Sequence, residues 1–531
     1  MCNVRFKTPL TVILISVVVS YFFVIDSTDE MANNGLLFLS NITKANTMCQ
    51  AASKHVRKVL YVNIKGSADS TPIVNHIDSV YTKATSICNN LDVRIMLKPS
   101  DSLKQIKTSQ PIDLILYDSE LSKDIDKLKQ TVSTVNNGYK LQSIDCSDTA
   151  VNVKPEVVKS YEYVALGGTF DRLHNGHKIL LSQAAARATK LVTVGVTDVN
   201  MIQSKKLWEL IEPVEVRMKE VLDFLNDINP DLEYDIFPLR DIYGPTKDDP
   251  KYQLIVVSEE TLGGAAKINE KRVGNGLQPM DVHVIGLAQD EHPQRSHEEE
   301  EKVSSSNQRM RLLGTVLKPP VPNPNIPDWP YVIGLAGGIA SGKSSIAEKL
   351  KAKGAAIVNC DIIAHELYAP GRPLNRTIAE SFDNVITETG EVDRRRLGQI
   401  VFSDKEQLEK LNGLVWPAVV EEALRRVRAL GRRGHRLVVL EAAVMVRARW
   451  YTHCHQLWAV IIPREEAIKR LQKRNGLTEE EATQRIDAQP SNLEQVAPAN
   501  MVFSPYWSYE YTQGQIDRAW QHLQEYLANR K

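Results

Sequence analysis

Residues Tyr331–Ser344 read YVIGLAGGIASGKS, an apolar run followed by Gly337, four further residues, Gly342, Lys343 and Ser344. That spacing is the phosphate-binding loop pattern G-x-x-x-x-G-K-[ST]. Its glycines let backbone N–H groups close round phosphate oxygens, its lysine reaches the outer phosphates, and its hydroxyl holds Mg²⁺. The flanks restrict the architecture as much as the loop does. VIGLA reads as a buried parallel strand, and SSIAEKLKAKG as a helix whose positive N-terminal dipole faces the same anion. Strand, glycine loop and helix in that order predict an open parallel α/β sheet. They also predict a nucleoside triphosphate held by Gly337, Gly338, Ile339, Ala340, Ser341, Gly342, Lys343, Ser344 and Ser345.

A second signal lies upstream, in YVALGGTFDRLHNGHKILLSQAAARATKLVTVGVTD, Tyr163–Asp198. An apolar strand runs into Gly167, Gly168 and Thr169. His174 and His177 then open a helix with apolar residues at Ile179, Leu180, Ala184 and Ala188. Two imidazoles three residues apart at a helix start can meet one anionic group together with the helix dipole, which suits charge developing on an α-phosphate. A zinc site is the weaker reading, because no third ligand stands at the usual spacing and Gly176 suggests close approach of a ligand to the backbone. These residues resemble the T-F-D-x-x-H-x-G-H signature of the nucleotidyltransferase superfamily, whose members attack a nucleotide α-phosphate and release pyrophosphate. The superfamily's later landmark, I-S-S-T-x-x-R, has a counterpart in KVSSSNQRMRLLG, where Val303, Ser304, Ser305, Ser306 and Arg309 occupy the corresponding places. Hydroxyls at a helix start and an arginine one turn on would make a second phosphate clamp.

A nucleotidyltransferase followed on one chain by a small-molecule kinase points to a specific pairing. From about Ser160 to Lys531 the sequence resembles the bifunctional coenzyme A synthases, in which phosphopantetheine adenylyltransferase is fused to dephospho-CoA kinase. The stretches KKLWELIEPVEVRMKEVLDFL, VSEETLGGAAKINEKRVGNGL, CDIIAHELY and PREEAIKRLQKRNGLTEEEATQRIDAQ carry the likeness beyond the nucleotide motifs. The resemblance implies that 4′-phosphopantetheine attacks the α-phosphate of ATP to give dephospho-CoA and pyrophosphate, and that ATP then phosphorylates the 3′-hydroxyl of dephospho-CoA. Thr169, His174 and His177 would stabilise the transferred phosphate, while Lys205 or Lys206, Arg217 and Arg272 would meet the remaining anionic groups. Two other readings stay open: a different transferase–kinase pair, and a membrane-tethered scaffold that binds nucleotide without turnover.

In the kinase part, AAIVNC ends a strand before Asp361 and LVVLE ends another at Glu441. Strand-end carboxylates beside a phosphate loop suit proton acceptance, assigned to Asp361, and Mg²⁺ binding with Ser344, assigned to Glu441. Bacterial relatives commonly read D-x-D-x-x-A-H, whereas this chain has Asn359, Asp361, Ala364 and His365. Trp416 also stands where they often have His, so no catalytic imidazole is assigned there. PREEAIKRLQKR places Arg470 and Arg474 four apart on one helical face, and Thr478 with Glu481 forms a capping box for the helix carrying Arg485. These guanidiniums would form a lid over the transferred phosphate.

With 531 residues, 43% of them hydrophobic and 24% charged, the chain supports two or three domains with cores of their own. Lys plus Arg and Asp plus Glu both number 65, so net charge gives no global support for a nucleic-acid partner. Six scattered cysteines without a C-x-x-C fit a reducing compartment. Domains are expected at 1–30 (an apolar anchor or signal), 31–155 (a small α/β domain with strands at VRKVLYVNI, LDVRIML and PIDLILYD), 156–317 (transferase) and 331–531 (kinase). KPPVPNPNIPDWP, 318–330, reads as a stiff spacer. Thr8–Ile25 is near the minimum length for a membrane span. An anchor facing the cytosol, as on the outer mitochondrial membrane, would reconcile it with a supply of ATP, and a start at Met31 would leave the enzyme cytosolic.

Overall fold

The computed structural model describes residues 31–66, 73–88, 91–145, 158–292 and 295–530, so the apolar stretch Thr8–Ile25 lies outside the described residues. Among the described residues no helix is long and apolar enough to cross a membrane. Three five-stranded, wholly parallel sheets follow one another along the chain. The first contains β1 (Ala32–Leu39), β2 (Val56–Ile64), β3 (Asp92–Ile95), β4 (Ile112–Asp118) and β5 (Val135–Ile144) in the order β3-β2-β1-β4-β5. The second contains β6 (Tyr161–Gly168), β7 (Ala188–Thr197), β8 (Glu233–Leu239), β9 (Leu254–Ser258) and β10 (Asp281–Ile285) in the order β10-β9-β6-β7-β8. Numbered within its own domain, each sheet therefore reads 3-2-1-4-5. The N-terminal domain repeats the strand order of the transferase domain that follows it.

The third sheet, β11 (Tyr331–Gly337), β12 (Ala356–Asn359), β13 (Leu437–Glu441), β14 (Gln456–Val460) and β15 (Met501–Phe503), has the order β12-β13-β11-β14-β15. Every residue of β11, β13 and β14 is buried, as a parallel strand covered by helices on both faces requires, and this is why these segments read as unbroken apolar runs.

Packing divides the chain into two compact units: residues 1–205 with 212–305, and residues 206–211 with 306–531. The N-terminal and transferase sheets thus share one unit. A single apolar cluster runs through both, joining Ile77, Val80 and Ala84 to Ile179, Leu181 and Ala184. The boundary drawn at residue 155 falls inside that unit. Residues 306–317 belong to the unit that holds the kinase sheet. The Pro-rich segment is docked rather than spanning free. Asn323 donates to the Thr452 carbonyl at 2.8 Å, Arg530 pairs with Asp328 at 2.6 Å, and Arg436 lies 4.6 Å over the Trp329 ring. Its amide and carboxylate side chains make contacts that a count of prolines does not reveal.

Candidate functional site

In the first unit, β6 delivers Gly167 and Gly168 to a turn in which Phe170 and Arg172 take left-handed φ values of 50° and 49°. Phe170 is fully buried and fixes the turn against the core. His174 caps the Asn175–Arg187 helix, its Nδ1 accepting from the His177 backbone N–H at 3.4 Å. The two imidazoles stack with centroids 3.7 Å apart and planes 19° from parallel, and Phe170 lies 5.3 Å from the His177 ring. The pair therefore presents one imidazole edge surface at a helix N-terminus, where the dipole favours an anion. A Cβ on Gly176 would come within 3.2 Å of the His174 ring. The glycine thus makes room for that imidazole, which corrects the expectation that it admits a ligand.

Thr169 joins this turn through its hydroxyl, 3.3 Å from that of Thr197. Ser305 Oγ donates to the Asp171 carbonyl at 2.9 Å, tying the start of the Ser305–Leu312 helix, and Ser304 before it, to the turn. Arg309 is 1% exposed; it donates to the Lys206 carbonyl at 2.9 Å and reaches Ser306 Oγ at 3.4 Å. Lys206 Nζ lies 3.7 Å from Met310 Sδ, while Lys205 is exposed. The division between units separates Lys205 from Lys206 and Ser305 from Ser306.

Two arginines expected to bind substrate have other work. Arg217 is 1% exposed and donates to the carbonyls of Glu212, Thr169 and Thr197 at 2.8, 2.6 and 2.9 Å. It braces the Thr169 turn from behind. Arg272, also 1% exposed, donates to the carbonyls of Gln278, Thr246, Asp249 and Tyr252. Both guanidiniums spend their fork of donors on backbone oxygens, and burial pulls each below its usual pKa. They are struts, and the expectation of substrate contact is corrected for both.

In the second unit, Gly342 takes φ 90° where a Cβ would meet Pro505 at 2.7 Å, so the turn into the Lys343–Ala352 helix requires glycine. Lys343 Nζ stands 3.1 Å from Glu441 Oε1 and 3.6 Å from Asp361 Oδ2. Ser344 Oγ donates to the same Glu441 oxygen at 2.7 Å. Asn359 donates to the other Glu441 oxygen at 2.9 Å while capping the Cys360–Leu367 helix through the Ile362 N–H. The asparagine that replaces a carboxylate here acts as a holder of Glu441. Glu441 is 2% exposed, whereas the Asp361 side chain keeps 47% of its surface open. Ser341 Oγ is buried without a hydrogen-bond partner.

The helices Arg464–Asn475 and Glu479–Asp487 pack on the loop through Ile468, Leu471 and Ala482 against Ile339 and Ala340. Arg470 reaches the loop: it bonds to Glu466 and the Pro505 carbonyl, and its guanidinium lies 3.7 Å from where a Cβ on Gly342 would be. Arg474 is exposed and bonded to Asn475, and Arg485 sits half-buried behind the capping box at Thr478 and Glu481. Sequence reasoning missed Gln489, whose Oε1 accepts from the Ile339 N–H at 2.7 Å, because a glutamine after a helix carries no motif. Beside it opens a largely apolar cavity of about 380 Å³, lined by His365, Tyr368, Arg394, Trp416, Arg447 and Gln489 among others. Arg394 lies 3.3 Å from the His365 ring, whose pKa is lowered first by burial and then by that guanidinium.

Two family models match separate stretches of the chain. Residues 331–505 match the family model for dephospho-CoA kinase, and residues 165–311 that for cytidylyltransferase-like proteins. Dephospho-CoA kinase of Carboxydothermus hydrogenoformans is 38% identical over 186 residues, 35% of this chain and 90% of that protein. The enzyme of the same name from Syntrophus aciditrophicus is 38% identical over 193 residues, 36% of this chain and 82% of that protein. Phosphopantetheine adenylyltransferase of Saccharomyces cerevisiae is 41% identical over 133 residues, 25% of this chain and 44% of that protein.

Proposed function

The chain belongs to the dephospho-CoA kinase family, and from that premise we propose that it performs two consecutive steps of coenzyme A biosynthesis. The transferase domain adenylylates 4′-phosphopantetheine with ATP, and the kinase domain phosphorylates the dephospho-CoA that results. The observation that carries the reading is the coexistence on one chain of two different phosphate cradles, the stacked His174–His177 pair at a helix start and the Lys343 loop.

In the first step a phosphate oxygen of phosphopantetheine forms a bond to the α-phosphorus of ATP, and the bond to the bridging oxygen breaks, so pyrophosphate leaves with the electron pair. No enzyme nucleophile is needed. Thr169, His174 and His177 hold and neutralise the transferred phosphate, and Ser304 and Ser305 meet the phosphates that depart. In the second step the open Asp361 carboxylate accepts the proton of the 3′-hydroxyl as its oxygen attacks the γ-phosphorus, and ADP leaves. Lys343 and Arg470 stabilise the charge on the moving phosphoryl group. Ser344 and Glu441 supply hard oxygen donors, so they fit Mg²⁺ entering with the triphosphate, where the ion neutralises phosphate charge. The apolar cavity receives the body of the acceptor, with Arg394 and Arg447 available to its phosphates.

Full-length protein given ATP, Mg²⁺ and 4′-phosphopantetheine should yield dephospho-CoA and then coenzyme A by mass spectrometry. Absence of both products would overturn the proposal. We also propose that Thr8–Ile25 holds the enzyme at the cytosolic face of a membrane. Chains begun at Met1 should sediment with membranes and those begun at Met31 should not; equal partitioning would exclude the anchor.

A further inference from the structure

The N-terminal domain repeats the strand order of the transferase but not its cradle. At the ends of β1 and β4, where a sheet of this order would receive a ligand, Lys44 bridges Asp118 at 2.9 Å and Glu120 at 2.8 Å, with Ser40 also on Asp118. The domain's own side chains pair with one another there. What the domain offers instead is a buried polar seam against the two helices of the transferase sheet that frame its site.

Lys178 follows His177 directly and is 3% exposed. Its ammonium donates to the Val93 carbonyl at 3.1 Å and pairs with Asp92 at 2.6 Å, both on β3. Arg94, two residues along the same strand, grips Asp92 through Nε and Nη2 at 2.9 and 2.7 Å. Its Nη1 reaches Asp227 of the Val214–Ile228 helix at 2.5 Å. Asp227 accepts further from the Ser109 N–H and hydroxyl at 2.6 and 2.7 Å, and the Leu97 N–H donates to the Ile228 carbonyl at 2.8 Å. At the other end of the seam, Asn175 gives its amide to the Tyr81 carbonyl and the Thr85 hydroxyl at 3.1 and 3.0 Å, both on the Ile77–Ile87 helix. Asn175 and Lys178 flank the turn carrying His177, so the first helical turn of the site is gripped on both sides by a domain outside it. Although burial pushes the Asp92 carboxyl up, Lys178 and Arg94 hold it below the usual carboxylate range, while burial pulls the Lys178 ammonium down.

We infer that the N-terminal domain is a positioning element for adenylyl transfer, and that Asp92 and Thr85 are positioning residues acting on His177 through Lys178 and Asn175. The inference rests on the adenylyl-transfer reading above. A buried ion pair contributes little net stability, because desolvation offsets its attraction, but it fixes direction, which a hydrophobic contact does not. Displacing an imidazole from the transferred phosphate by about 1 Å costs on the order of 10²-fold in rate.

The test uses the full-length chain with Asp92→Asn, Asp92→Glu and the milder Thr85→Val. Asp92→Asn should lower kcat for dephospho-CoA formation by about tenfold or more, with KM for ATP within about twofold, and Asp92→Glu should recover most of the loss. Phosphorylation of added dephospho-CoA should be unchanged in all three. Unaltered kcat, a change in KM alone, or Asp92→Glu as slow as Asp92→Asn would overturn the inference. If Asp92→Asn fails to fold, Thr85→Val decides, with a severalfold fall in kcat expected and no fall overturning it. Hydrogen exchange at residues 176–180 reads the grip without any turnover. Faster exchange in Asp92→Asn is expected, and identical exchange overturns the positioning role even if the activity reading itself should fail.

Discussion

Lys343 is held between Glu441 and Asp361, at 3.1 and 3.6 Å from their carboxylate oxygens. Substituting Lys343→Met removes the charge and keeps the length. Dephospho-CoA should accumulate with coenzyme A formation reduced by about 10²-fold or more, followed by mass spectrometry; normal coenzyme A output would refute the role. His177→Ala should cut adenylyl transfer by a similar factor while added dephospho-CoA is still phosphorylated, and parallel loss of both activities would indicate damage to folding instead. The loop and the helix start that carry these two residues were legible because motif spacing and local backbone coincide. Arg217 and Arg272 were not. An arginine's donors fit a phosphate or a ring of carbonyls equally well, and only the chain folded around them decides which it meets.

The Val214–Ile228 helix carries the buried Arg217 and Asp227, and between them Glu220, whose carboxyl is pushed up to about 7 by burial and then by Glu212 nearby. A carboxyl with a folded pKa above its unfolded one favours the folded state when protonated. Its contribution is present near pH 4 to 5 and erodes as pH rises toward 7. The melting temperature of Glu220→Gln should therefore fall less than that of the natural chain between pH 5 and 7.5, by calorimetry, and parallel curves would contradict the assignment. At this scale the strands were the legible part. All five of the transferase sheet and the first three of the kinase sheet were legible, β9, β11 and β13 as apolar runs because these parallel strands are buried on both faces, whereas β8 and β10 are edge strands that stay partly open. β5, VNNGYKLQSI, is a largely exposed edge with no apolar alternation, and β1 is a short apolar patch after four polar or small residues, so neither was recognised.

For the molecule as a whole, the shared core of the first unit predicts that the transferase sheet does not stand alone. A chain begun at residue 158 uncovers Ile179, Leu181 and Ala184 together with Lys178, a charge left without its pair. Such a chain should lose adenylyl transfer and aggregate while still phosphorylating added dephospho-CoA; a soluble, active transferase would refute the shared core. By itself the sequence determined the glycine loop, the His174–His177 helix start and the parallel sheets behind them, since each is built from contiguous residues whose spacing dictates the backbone. The tertiary structure alone decided which charges became braces and that the first domain grips the His177 turn. Asp92 and Lys178 are far apart along the chain, and a charge's partner is known only once the fold has brought it near.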